Sequence, residues 1–169
     1  MIIPVFGKME KAPNNTTVGL GRGASIAVKA AAASDAISGK PGESLSVWTE
    51  GCTVIFVGVG NKEKLTHKGA RDAGAKCLAK LSKDIGTEIV VRFTTGWKTA
   101  NMAAFAEGMI LRDYAFDKYQ KNDEDEQDKG EWSLECQAHD RHLEALDAAV
   151  AKSESIATGV HLARDLANE

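Results

Sequence analysis

Three stretches of this sequence combine residue types and spacings that chemistry uses. The first is Gly19-x-Gly21-x-x-Ala24, which leads into an alanine-rich segment. It matches the pattern in which backbone N–H groups at a helix start hold a dinucleotide's pyrophosphate. The segment before it, Asn15 to Val18, makes a poor strand, and the acidic partner about 20 residues on would have to be Glu43. A glycine-rich turn into a helix is the simpler account. The second is Gly58-x-Gly60, at the end of an apolar run, where a phosphate could meet backbone amides. Position 63 is Glu, whose charge would repel phosphate, so a plain strand-to-loop turn is favoured. The third is Cys136, His139, Asp140 and His142, near metal-ligand spacing, with two histidines at i, i+3 able to share a helix face. Nothing else in the chain completes a set of four ligands, and Cys136 sits in an alternating strand pattern. A core thiol beside surface histidines is the better account.

No Ser-His-Asp or Cys-His arrangement stands out, and no pair of carboxylates can be nominated for acid–base work. No residue is therefore assigned a catalytic, cofactor-binding or metal-binding role. Trp48, Trp97 and Trp132 are expected to pack in the core or against loops.

The elements that would position such groups follow an α/β rhythm. The run Thr53 to Gly60 is apolar at both alternating parities, as expected of a central strand covered by helices on both faces. Gly58 and Gly60 mark its end, where the backbone must turn or pass close to something. Ile2 to Phe6 suits a short strand, with Pro4 favouring an edge position. Lys11 to Thr17 is loop chemistry. A helix is expected over Ala24 to Ile37, stopped by Gly39-Lys40-Pro41-Gly42. Ser44 to Trp48 alternates as a short strand, and Glu50-Gly51 is the turn that joins it to the central run.

Asn61 to Lys64 is expected to be loop, with Thr66 as the cap of the next helix. Ala70, Ala73, Gly74, Cys77, Leu78 and Leu81 fall on one face of that helix, opposite Arg71, Lys76, Lys80 and Lys83. Gly74 costs the helix up to ~1 kcal/mol against alanine; close approach to the sheet would explain it. Gly86 closes this element, and Glu88 to Phe93 is another buried strand. Met102, Phe105, Ala106, Met109 and Ile110 repeat as a helix face, with Thr99 or Asn101 available as its cap. The polar run Asn122 to Asp128 suits a solvated loop. Trp132, Leu134 and Cys136 alternate as a last strand. From His139 the pattern is helical through Leu143, Leu146, Ala149 and Val150, weakens at Ser153-Glu154-Ser155, and resumes with Ile156, Val160 and Ala163.

Composition sets the outer bounds. At 169 residues, 43% hydrophobic and 27% charged, the chain suits one domain with a core large enough to need no disulfide or metal. The net charge of −3 gives no basic footprint, which disfavours nucleic acid as a partner. Cys52, Cys77 and Cys136 are odd in number and scattered, as expected of free thiols in a reducing cytosol. No apolar run approaches the ~18 residues of a membrane span, and Met1-Ile2-Ile3-Pro4 does not resemble a signal peptide. A cytoplasmic protein is expected.

Four segments, in order, resemble the N-terminal domain of the leucyl (cytosol) aminopeptidase family. They are Gly39-Lys40-Pro41-Gly42-Glu43, the strand Val54 to Gly60, Ala104 to Tyr119, and Gly159 to Glu169. The third carries Glu-Gly-x-x-Leu-x-x-Tyr-x-Phe-Asp-x-Tyr, and the fourth closes on Ala-Arg-Asp-Leu-x-Asn-Glu. Residues 39–169 are covered in this way; the first 38 match poorly. The resemblance implies a macro-like three-layer α/β sandwich over residues 1–150, with a mixed, largely parallel sheet and helices on both faces. It implies that residues 151–169 form a linking helix towards a catalytic domain absent from this chain. That domain would hold two divalent metals, Mn or Zn, and remove N-terminal amino acids from peptides by two-metal hydrolysis. The family typically assembles as hexamers.

The family's metal-binding stretch, Asn-Thr-Asp-Ala-Glu-Gly-Arg, occurs nowhere in these residues, so no functional residue carries over. An excised domain of a metallo-aminopeptidase is expected, inactive by itself, with a free-standing remnant as the lesser option. The competing expectation is a small-ligand binding module. Macro-like sheets in other proteins bind ADP-ribose or nucleotides beyond strand ends, and Gly58-Val59-Gly60 or Gly19 to Gly23 would serve there.

Overall fold

A computed structural model describes residues 1–8, 19–81, 88–113, 133–139 and 142–168. The expected loops over 11–17 and 122–128, Gly86, Trp132, Asp140 and the signature tyrosines Tyr114 and Tyr119 lie outside them.

Among the described residues, five strands form one sheet: β1 (Ile2–Phe6), β2 (Ser44–Thr49), β3 (Cys52–Gly60), β4 (Glu88–Arg92) and β5 (Ser133–Gln137). Their order is β2-β3-β1-β4-β5, with β2 antiparallel to β3 and the other pairs parallel. Helix α1 (Arg22–Ala33) covers one face; α2 (His67–Lys80), α3 (Thr99–Asp113) and α4 (Leu143–Asn168) lie on the other. This is the expected three-layer α/β sandwich with a mixed, largely parallel sheet.

β3 shows why its apolar run has no polar parity. Val54 and Phe56 pack with Val28 and Ala32 of α1, while Val57 and Val59 pack with Ala70, Cys77 and Phe105 beyond the opposite face. It is an interior strand, but the middle of the sheet is β1. Pro4 therefore lies in the central strand and not at an edge. The Met1 carbonyl accepts from Ile55 of β3, so by alternation the nitrogen of Pro4 points towards β4. The β1–β4 ladder pairs only Ile2 with Val91. The missing N–H thus falls where pairing has already ended.

α1 begins at Arg22 and ends at Ala33, with Ser34 as its C-cap, short of the expected Ile37. Both the Ser34 hydroxyl, at 2.6 Å, and its N–H, at 3.2 Å, donate to the Ala31 carbonyl and close the last turn. Ile37 then returns to the core on its own, 2% exposed. Residues Lys62–Lys64 form a short 3-10 turn where a loop was expected, with the Asn61 side chain accepting from the Glu63 N–H. The Thr66 hydroxyl accepts from the Gly69 N–H at 3.0 Å and starts α2, as its sequence indicates.

α3 lies between α2 and α4, and its eight residues from Met102 to Met109 are all buried. Neither candidate cap takes that role: Thr99 is the first helical residue and contacts His142, and the Asn101 side chain donates to the Leu65 carbonyl. α4 runs unbroken through the segment that looked weak. Its inward residues are Leu146, Ser153 and Ala157, with the Ser153 hydroxyl donating to the Ala149 carbonyl. Ile156 and Ala163 are exposed instead. Trp97 is buried against Phe6, Phe93 and Phe105 as expected, but Trp48 is 77% exposed, contrary to its expected packing role.

Candidate functional site

The segment 39–43 lies across the ends of β1 and β3. Gly39 has φ +73°, and a Cβ on it would strike the Gly7 backbone; a Cβ on Gly58 would strike the Lys40 carbonyl. Gly60, at φ +86°, sits against the Pro41 ring. These glycines let three backbone segments touch, which is the close approach their positions imply.

The same contacts consume the amides that a phosphate would need. The Gly58 N–H donates to the Glu43 carbonyl at 2.9 Å, and the Gly60 N–H to the Gly39 carbonyl at 2.8 Å. Glu43 is also committed, not poised for a ribose. Its carboxylate accepts from the Ser38 hydroxyl at 2.7 Å, the Ser38 N–H at 2.8 Å and the Lys40 N–H at 3.2 Å. Gly19, Gly21 and Gly23 open α1 with nothing near their Cβ positions; the segment before them lies outside the described residues.

The Ser38 hydroxyl above all, then the two N–H groups, hold the Glu43 carboxyl below its usual range. A carboxyl depressed in the folded state stabilises the fold above its unfolded pKa, and that contribution disappears as pH falls through the folded pKa. Glu43→Gln should therefore lower stability at neutral pH, with the difference from wild type shrinking in acid. Denaturant titrations at the two pH values measure this.

The described members of the third candidate, Cys136, His139 and His142, are not brought together as a metal site. Among the described residues, no group of three or more His, Cys, Asp and Glu is placed to hold an ion. Cys136 lies in β5, its thiol pushed up to about 12, by burial first and then by nearby carboxylates. Cys77 is likewise pushed up to about 12 by burial. Neither supplies thiolate at neutral pH. His142 turns elsewhere, its Nδ1 lying 3.0 Å from the Thr99 hydroxyl, and so joins the start of α4 to the start of α3.

A cleft of ≈ 430 Å³ lies between β2–β3 and α2. Ile55, Val57 and Cys77 line it with Ser44, Ser46 and Lys76. Lys80 closes one end by donating to the Gly42 carbonyl. Asp72 is held by Lys68 at 2.6 Å. Its described lining offers apolar surface and amines, and among those residues no activated nucleophile is paired with a base.

What sequence reasoning missed is the seam between α2 and α3. Gly74 approaches not the sheet but α3: its Cβ would meet the Phe105 carbonyl, while a Cβ on Gly108 would meet the Arg71 carbonyl. Beside them Arg71, expected on the polar face, pairs with the buried Glu107 at 3.2 Å. The Glu107-Gly108 dipeptide of the third signature segment is thus explained by helix packing. The available signal was a charge and a glycine in the middle of an otherwise apolar helix.

Comparison with known proteins agrees with this geometry. The model of the cytosol aminopeptidase family, N-terminal domain, matches residues 2–123. A "Probable cytosol aminopeptidase" of Rhizobium etli is 34% identical over 118 residues, covering 69% of this chain and 24% of that protein. One of Aquifex aeolicus is 37% identical over 112 residues, covering 63% and 23%. Among solved structures, a mutant tomato leucine aminopeptidase superposes with a TM-score of 0.65 at 18% identity, over 99% of this chain and 35% of that one. The bottromycin maturation enzyme BotP gives a TM-score of 0.60 at 19% identity, over 99% and 32%. The chain spans about a quarter of the length of the curated relatives it matches. With its sheet, its clamped strand ends and its glycine seam accounted for, the chain belongs to the cytosol aminopeptidase family, as the N-terminal domain.

Proposed function

We propose that these residues are the non-catalytic N-terminal domain of a leucyl aminopeptidase, and that the full-length parent removes N-terminal amino acids from peptides in the cytoplasm. The observation that carries this is the match of residues 2–123 to the family's N-terminal domain, in relatives of which the aligned stretch covers 24%. The parent's reaction is two-metal hydrolysis, with Mn or Zn activating a water. The described residues do not fit such a metal pair, since no three of their acidic, thiol and imidazole groups are placed to hold an ion. The ligands belong to the C-terminal catalytic domain that this domain partners. Residues 1–150 are the domain proper and 151–169 the link, on which Leu162 and Leu166 stand 60% and 65% exposed for that neighbour to cover. Within a hexameric parent, the domain supports assembly and shapes access to the active site.

Incubating the purified chain with Mn and a leucine chromogenic amide should give no turnover above buffer. Metal-dependent release of the chromophore would overturn the non-catalytic assignment. Appending the parent's remaining coding sequence should restore it.

A further inference from the structure

We propose that the outer edge of β2 is a self-recognition surface that pairs with β2 of a second copy of this chain, extending the sheet across a twofold axis. The inference stands on the edge geometry and not on the aminopeptidase chemistry.

Among the described strands, β2 has a neighbour on one side only. The Glu43 carbonyl faces β3, where it accepts from Gly58. By alternation Leu45, Val47 and Thr49 also turn their backbone groups to β3, and Ser44, Ser46 and Trp48 turn theirs outwards. Exposed edges are usually blunted by charge, proline or a bulge. Residues 44–49, Ser-Leu-Ser-Val-Trp-Thr, contain no charge and no proline, and they pair one for one with β3 without a bulge. Among the described residues the edge is open, and it carries the most exposed large apolar residue described, Trp48.

A twofold axis perpendicular to the sheet keeps each face on its own side, so residues of equal parity must meet. Centred on Ser46, an antiparallel register sets Ser44 opposite the partner's Trp48, Leu45 opposite the partner's Val47, and Ser46 opposite its own copy. The outward-facing amides and carbonyls of Ser44, Ser46 and Trp48 then meet one another. Leu45 and Val47, which pack against the α1 side, continue that layer. Ser44 and Ser46 line the cleft beside α2, so the partner's Trp48, on the same face, lies over its mouth.

Charge fits the same register. Just beyond the paired residues, the turn at Gly42 of one copy falls at the same end of the new ladder as the partner's turn at Glu50. The Gly42 carbonyl is the group that holds Lys80, whose amine is also 3.4 Å from the Ser44 hydroxyl. Each copy thus brings the exposed Glu50 carboxylate to the other's Lys80, twice by symmetry. This reciprocity favours a second copy over an unrelated extended peptide.

Sedimentation velocity of the 169-residue chain at low salt, across the micromolar range, tests it. Wild type should show a concentration-dependent dimer. Ser46→Pro removes an outward N–H without touching the β2–β3 ladder, and should be monomeric with unchanged far-UV circular dichroism. Ser46→Lys, a charge at an exposed edge position, should be monomeric as well and serves where proline disturbs the strand. Glu50→Lys should weaken pairing roughly tenfold through two lost rim pairs, and Glu50→Lys with Lys80→Glu should restore it. A wild-type chain that stays monomeric, a dimer that survives in folded Ser46→Lys, or a charge swap that fails to rescue would each overturn the proposal.

Discussion

Gly108→Ala should lower the stability of this domain by about 2 kcal/mol or more, although alanine is the better helix former. In an exposed helix the substitution gains up to ~1 kcal/mol. Here the new methyl meets the Arg71 carbonyl of α2, a backbone atom that cannot swing away. Overpacking a tight seam costs about 1–3 kcal/mol, with backbone clashes at the upper end. Gly74→Ala meets the Phe105 carbonyl from the other side and should act alike. Because the two glycines serve one helix contact, the double variant should lose less than the sum of the singles. Gly159 of α4, with nothing near its Cβ position, supplies the control: Gly159→Ala should stabilise by about 0.5–1 kcal/mol. Urea denaturation followed by circular dichroism measures all four. A neutral or stabilising Gly108→Ala would mean that α2 and α3 do not pack at this distance.

Gly58→Ala should be comparably costly, for a different reason. Its backbone is ordinary for a strand; the obstacle is the Lys40 carbonyl lying where the Cβ would go. Accommodating the methyl requires lifting segment 39–43 off β3, which breaks the bonds from Gly58 to Glu43 and from Gly60 to Gly39. A loss of about 2–3 kcal/mol is expected, together with faster hydrogen exchange at the Gly58 and Gly60 amides. Unchanged exchange there, alongside lost stability, would place the damage elsewhere.

The same residues mark how far the sequence could be read. β3, the cap at Thr66, the inward face of α2 and the alternation of β2 were all legible, because each rests on a local period or a local hydrogen bond. Gly58 and Gly60 also announced a close approach. Their partner, fifteen or more residues away in sequence, gave no periodic signal, so a plain turn was favoured over a phosphate without the Gly39–Lys40 backbone being identified. Pro4 misled for a related reason. A proline reports a missing N–H, but only the neighbouring strand decides whether anything was waiting for it.

Gly74 was recognised as a contact point and assigned to the wrong neighbour, since a helix face does not state whether a sheet or another helix covers it. Ser153 looked like an interruption because a hydroxyl is polar, yet within α4 it bonds its own helix and packs inward.

The sequence by itself determined the α/β class, most element types and the family, through patterns carried by neighbours along the chain. Only the tertiary structure decided strand order, the glycine seam of α2 and α3, and the use of the loop glycines as a clamp instead of a ligand cradle. Those depend on which distant backbones come within van der Waals reach, and that is set by the closing of the whole core, not by any one segment.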